Sequence, residues 1–155
     1  MKKWLGIYLA YLLFTSCEKI DVSKITNLNN GKVFVIGHAG EGFYSHINHY
    51  PFNSKGSISR AFKFHRVDGV EVDFQLTKDH QGILYHDDYL DTQTDCGGPV
   101  FTLNYEDLLK CRYSSDIFPA LFQNEHLIGL DEVYKLTAEI SPKPMLFLDI
   151  KINPT

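Results

Sequence analysis

The chain has 155 residues, 44% hydrophobic, 22% charged and 14% aromatic, a globular composition that excludes the disordered, collagenous and multi-span membrane classes. Fifteen Lys and Arg against nineteen Asp and Glu give a net charge of −4. An acidic chain with no basic stripe lacks the electrostatic footprint of a nucleic-acid binder.

In chain order, Lys2 and Lys3 precede an apolar run from Trp4 to Phe14, followed by Thr15-Ser16 and a cysteine. That is the order of a secretory signal. Those eleven apolar residues are too few to cross a bilayer as a helix, which takes about 20. Leu13-Phe14-Thr15-Ser16-Cys17 resembles a bacterial lipobox, which predicts a signal peptide over 1–16 and lipidation of Cys17. The expected location is the bacterial cell envelope, outside the cytoplasm and held to the membrane by acyl chains, each buried CH₂ contributing about 0.8 kcal/mol. Residues 17–32 then read as the lipidated cysteine and a polar tether, and 33–155 as the folded domain.

Val33 to Ile36 is a short β-branched run expected to be a strand, ending in the glycine-rich Gly37-His38-Ala39-Gly40-Glu41-Gly42. Ser57 to Arg66 reads as an amphipathic helix with Ser57 as its cap. Val70 to Leu76 and Ile83 to Tyr85 are expected strands. Asn104 to Lys110 and Leu130 to Glu139 are expected helices, and Met145 to Ile150 a fourth strand. Strands interspersed with helices predict an α/β fold on a parallel sheet. Apart from Cys17, the cysteines are an even pair, Cys96 and Cys111. A bond between them would contribute about 3 kcal/mol, and two free buried thiols fit the sequence equally.

The chemistry concentrates in Gly69-Val70-Glu71-Val72-Asp73-Phe74. Side chains alternate along a strand, so Glu71 and Asp73 share one face and Val70, Val72 and Phe74 the other. Two carboxylates on one face of an apolar strand are costly unless they are paired, protonated or bound to a cation. Asp149, in Leu148-Asp149-Ile150-Lys151, repeats the setting and shares its face with Lys151. Three strand carboxylates are hard oxygen ligands that suit Ca²⁺ or Mg²⁺, and the lysine could hold a phosphate. His38 and His86 each stand where a strand gives way to a loop, placed to give and take a proton. His46, His49, His65, His80 and His126 have no such setting and read as surface or loop residues.

Taken together, His38-Ala39-Gly40, Pro51-Phe52-Asn53-Ser54, Glu71-Val72-Asp73 running into Thr77-Lys78-Asp79, and His86-Asp87-Asp88-Tyr89-Leu90 resemble the glycerophosphodiester phosphodiesterases. Leu130-Asp131-Glu132-Val133 and Leu148-Asp149-Ile150-Lys151 continue the likeness to the C-terminus. The resemblance implies a (β/α)8 TIM barrel of the phospholipase C-like phosphodiesterase type, with the site at the C-terminal strand ends. It implies that Glu71, Asp73 and Asp149 hold a divalent cation, that His38 and His86 are the acid and base, and that Lys151 contacts the phosphate. The reaction would be hydrolysis of a small-molecule glycerophosphodiester to glycerol 3-phosphate and an alcohol, with no protein partner or nucleic acid implied.

Three positions depart from the family's motifs: Ala39 stands for an arginine, Asp149 for a glutamate and Phe52 for a glutamate. A full barrel takes about 250 residues, so 33–155 reads as the N-terminal portion of one, with about four strands. Two rivals follow: an inactive lipoprotein that only binds phosphodiesters, and another phospholipase on the same barrel.

Overall fold

The computed structural model describes residues 31, 33–42, 50–114 and 124–152. The expected signal segment, Cys17, the tether up to 30, His46 and His49 lie outside the described residues. The chain divides into two units, Met1–Val33 and Phe34–Thr155, and the fold below is that of the second.

Its elements are strand β1 (Ile36–His38), helix α1 (Lys55–Arg60) continued by a π-helical turn (Ala61–His65), and strands β2 (Gly69–Leu76) and β3 (Gly82–Leu84). Helix α2 (Tyr105–Leu108), strand β4 (Ile128–Gly129), helix α3 (Leu130–Thr137) and strand β5 (Met145–Ile150) follow. Strand β2 is the centre: β1 and β5 pair with it in parallel, one on each side, and its last residues pair with β3. None of the described helices is long and apolar enough to cross a membrane.

The sheet is mixed, a correction to the parallel sheet expected from the pattern: β3 runs antiparallel to β2, and β4 antiparallel to β3. The cause is the short connection after Leu76, since a parallel crossover needs about a dozen residues or more. Thr77 closes this turn, its N–H donating to Gln81 O and its Oγ1 accepting from Gln81 N, both at 2.9 Å, with His80 in the left-handed region at φ 58°. The first strand is Ile36–His38 rather than Val33 to Ile36, so His38 is its last residue.

Helix α1 begins earlier than expected. Ser54, not Ser57, caps it, accepting from Ser57 N at 3.2 Å. Ser57 is buried inside the helix and its hydroxyl serves the loop after β1, donating to Ala39 O at 3.2 Å and accepting from Glu41 N at 2.9 Å. Gly40, at φ 99°, lies so close to Ser57 that a Cβ would collide with the Ser57 hydroxyl. Helix α2 is a single turn whose Asn104 makes no side-chain cap; Asp79, from the β2–β3 turn, accepts from Tyr105 N at 2.9 Å instead.

Two cores form among the described residues. Val70 and Val72 of β2 bury in one of them with Ile58, Ala61 and Val133 from the helices. Beyond β3, Ile83, Tyr85, Leu90, Val100, Leu108, Tyr113 and Leu127 form a second core, tied by a Cys96–Cys111 disulfide with Cα atoms 5.6 Å apart. The bond resolves the alternative that sequence left open.

Candidate active site

Because Val70 and Val72 face the helices, strand alternation turns Glu71, Asp73 and Gln75 to the opposite side of β2. Register then assembles a cluster across three parallel strands: His38 of β1 stands beside Glu71, and Asp149 of β5 beside Asp73. Glu71, Asp73 and Asp149 each offer a carboxylate oxygen, and these oxygens lie within 4.8 Å of one another. The shorter Asp149 reaches the cluster because β5 seats it directly opposite Asp73.

Asp73 is the buried member, 1% exposed. Asn53 holds it twice, donating from Nδ2 to Asp73 Oδ2 at 2.7 Å and accepting from Asp73 N at 3.0 Å. Lys151 Nζ completes the set, 2.9 Å from Asp73 Oδ1 and 2.6 Å from Asp149 Oδ2. Burial works against the Lys151 charge, but these two carboxylates outweigh it and raise its pKa. The hydrogen bond from Lys151 lowers the pKa of Asp149, and the charges of His86 and His38 act in the same direction, so both histidines lie within electrostatic reach of Asp149.

Glu71 is half-buried, accepts from Ala39 N at 3.0 Å and lies 3.6 Å from His38 Nε2. Burial raises its pKa, the Ala39 N–H opposes that, and the charges of Asp73 and Asp149 add to the rise. Three acids in one place, one of them held above the ordinary carboxylate range, form an all-oxygen set that fits a hard divalent cation.

His86 comes just after β3, the strand that runs antiparallel to β2. Its Nδ1 is 2.7 Å from Asp87 Oδ1, and Asp87 Oδ2 accepts from Thr92 Oγ1 at 2.7 Å. Burial pushes Asp87 up, yet the hydrogen bonds from His86 and Thr92 bring its carboxyl below its usual range. The edge of the Phe52 ring meets the His86 ring with centroids 6.2 Å apart.

Every site residue expected from sequence and described here thus belongs to one region: Glu71, Asp73, Asp149 and Lys151 in contact, His38 beside Glu71, and His86 acting on Asp149. Sequence reasoning gave no role to Asn53, Gln75 or Asp87. Gln75 was detectable as the next residue in the alternation begun by Glu71 and Asp73. Asn53, buried at φ 58°, gives no local signal of its partner twenty residues away.

The profile described as the glycerophosphoryl diester phosphodiesterase family matches residues 46–154. The chain belongs to this family. His38 lies ahead of the matched segment. Among relatives, a Bacillus subtilis protein, YhdW, named as a candidate glycerophosphodiester phosphodiesterase, is 32% identical over 123 residues, 79% of this chain and 46% of that one. A glycerophosphodiester phosphodiesterase of Caldanaerobacter subterraneus is 28% identical over 128 residues, 77% of this chain and 50% of its own. The chain therefore spans about half the length of the curated relatives it matches.

Solved structures agree in fold. A glycerophosphoryl diester phosphodiesterase from Parabacteroides distasonis superposes with a TM-score of 0.61 at 27% identity, covering 79% of this chain and 40% of that one. An Oleispira antarctica phosphodiesterase, in complex with the product sn-glycerol-3-phosphate, superposes with a TM-score of 0.64 at 24% identity, covering 77% of this chain and 44% of that one. The fold is α/β of this family's TIM-barrel type, and β1, β2 and β5 are its parallel strands.

Proposed function

We propose that this chain carries the reacting groups of a divalent-cation-dependent glycerophosphodiester phosphodiesterase, yielding glycerol 3-phosphate and an alcohol. The observation that carries the reading is the convergence of Glu71, Asp73 and Asp149 to within 4.8 Å, beside His38. These three carboxylates would hold Ca²⁺ or Mg²⁺. When bound, the cation supplies Lewis-acid neutralisation of the phosphoryl oxygens.

The rest falls to the chain's own side chains. With Nδ1–H donating to Asp87, His86 carries its lone pair on Nε2 and is suited to take the proton from the attacking hydroxyl or water. His38 then gives a proton to the leaving alcohol oxygen as its bond to phosphorus breaks. Acid and base groups of this kind contribute about 10²- to 10⁴-fold. Ala39 has no side chain for a phosphate, and its buried backbone is engaged with Glu71 and Ser57. The Glu41 N–H is also taken, by Ser57. The side chain proposed for the phosphate is Lys151, whose ammonium has three donors.

The same proposal includes a signal peptide over 1–16, lipidation of Cys17, a tether to residue 32 and anchoring in the cell envelope. Mass spectrometry of the membrane-bound product, with Cys17→Ala as control, tests it: an unacylated Cys17 ends this part of the reading.

Activity is tested by incubating the full chain with a panel of glycerophosphodiesters, with and without Ca²⁺ or Mg²⁺, and measuring glycerol 3-phosphate. Cation-dependent release that Asp73→Asn abolishes, with the circular dichroism unchanged, supports the assignment. Equal activity in Asp73→Asn sinks it. Binding without turnover favours an inactive lipoprotein, and turnover only of intact phospholipid favours another phospholipase.

A further inference from the structure

Gln75 is fully buried, yet its side chain does not serve the core around it. Its Nε2 donates two hydrogen bonds of 2.8 Å, one to Tyr85 O and one to Asp87 O. These are the two carbonyls that flank His86. Both partners are acceptors, so the amide nitrogen, not the oxygen, must face them. The other end of the amide bears the cost: Gln75 Oε1 is buried with no hydrogen-bond partner among the described residues.

The placement has a structural cause. The ladder between β2 and β3 reaches Tyr85, whose N–H donates to Asp73 O at 3.1 Å. Past that point the backbone leaves the sheet, and Gln75 takes over the strand's role across two more residues. On the far side of His86 the ring is steadied separately by Asp87 and by the Phe52 edge.

We infer that Gln75 is a positioning residue for His86, clamping the backbone on both sides of it to the strand that carries Glu71 and Asp73. The inference rests on the reading of His86 as an acid–base group, and Gln75 itself touches no reacting atom. The clamp fixes His86 relative to the carboxylate cluster through a single strand, two residues beyond Asp73.

The test is Gln75→Met, which keeps the volume and removes both donors. The expected result is a fall in kcat of about 10- to 100-fold, as for loss of a residue that orients a catalytic one. KM should change by less than about 2-fold. In a His86→Ala background the same substitution should cause no further fall, because the group it positions is gone. Nitrogen-15 spectra of the imidazoles give a readout independent of turnover: the His86 signals should broaden or shift in Gln75→Met while those of His65, paired with Glu41, stay put. Unchanged kcat and unchanged His86 signals would overturn the clamp, as would equal falls in both backgrounds. Should Gln75→Met not fold, slow exchange of both Gln75 side-chain amide protons in the unaltered chain supports the clamp, and exchange as fast as in a free glutamine overturns it. If the unaltered chain hydrolyses no diester, the functional reading fails and the imidazole spectra still decide the clamp.

Discussion

Asp73 and Asp149 stand opposite each other on neighbouring parallel strands, and the Lys151 ammonium joins them, 2.9 Å from one and 2.6 Å from the other. A divalent cation and this ammonium draw on the same oxygens. Lys151→Met is therefore expected to tighten Ca²⁺ or Mg²⁺ binding, measured by calorimetry, while raising KM for the diester. It also leaves Asp73, 1% exposed, without its cation, which lowers the stability of the cation-free chain by about 3 kcal/mol. Weaker cation binding in this variant would contradict the shared-oxygen account.

Asn53 combines a left-handed backbone, φ 58°, with two hydrogen bonds to Asp73. Asn53→Ala removes both bonds and puts into the left-handed region a residue that tolerates it less well than asparagine, at a combined cost of about 2–4 kcal/mol. Urea denaturation measures this. Asn53→Gly, which keeps the backbone freedom, should lose less, and equal losses would show that the backbone contributes nothing.

The Cys96–Cys111 bond closes a loop of sequence separation 15. Reduction should cost about 3 kcal/mol in the chain-entropy view. The loss should fall on the second core, so amides of Leu90, Val100 and Leu127 should exchange faster after reduction while those of Val70 and Val72 hold. Uniform loosening would mean that the two cores are one cooperative unit.

Burial, followed by the Asp131 carboxylate that accepts its hydroxyl at 2.9 Å, pushes the Tyr105 phenol from 10.0 up to about 12. The neutral phenol is the form the folded chain favours. Its contribution is full below the unfolded value of 10.0 and is lost as pH rises through about 12. The stability advantage of the unaltered chain over Tyr105→Phe should therefore be constant at neutral pH and shrink across that window. An advantage that grows with pH would reverse the assignment.

Strand β2 and the shared face of its acids were legible because alternation is a local property: Glu71 and Asp73 announce that face from two positions apart. Helix α3 was legible from apolar residues at helical spacing, and strand β5 as a short apolar run, although its Phe147, Leu148 and Ile150 are exposed. The direction of β3 was not, since an apolar run such as Ile83 to Tyr85 fits either sense and only the short turn decides. The cap of α1 was misplaced because Ser54 and Ser57 are equally good cap residues. What separates them is that Ser57 is engaged by Ala39 and Glu41, partners distant in sequence. Asn53 and Gln75 were assigned no role because their partners are set by tertiary approach.

Strand β2 is also the ruler of the described fold. His38 is measured against it through β1, Asp149 and Lys151 through β5, and His86 through Gln75. A point substitution in any neighbour disturbs one mark on that scale. Deleting a single residue at the start of Gly69–Leu76 would shift all of them at once, because a one-residue slip exchanges the two faces of the strand beyond it. The lineage of this site should therefore accept length changes in its loops and none in this strand.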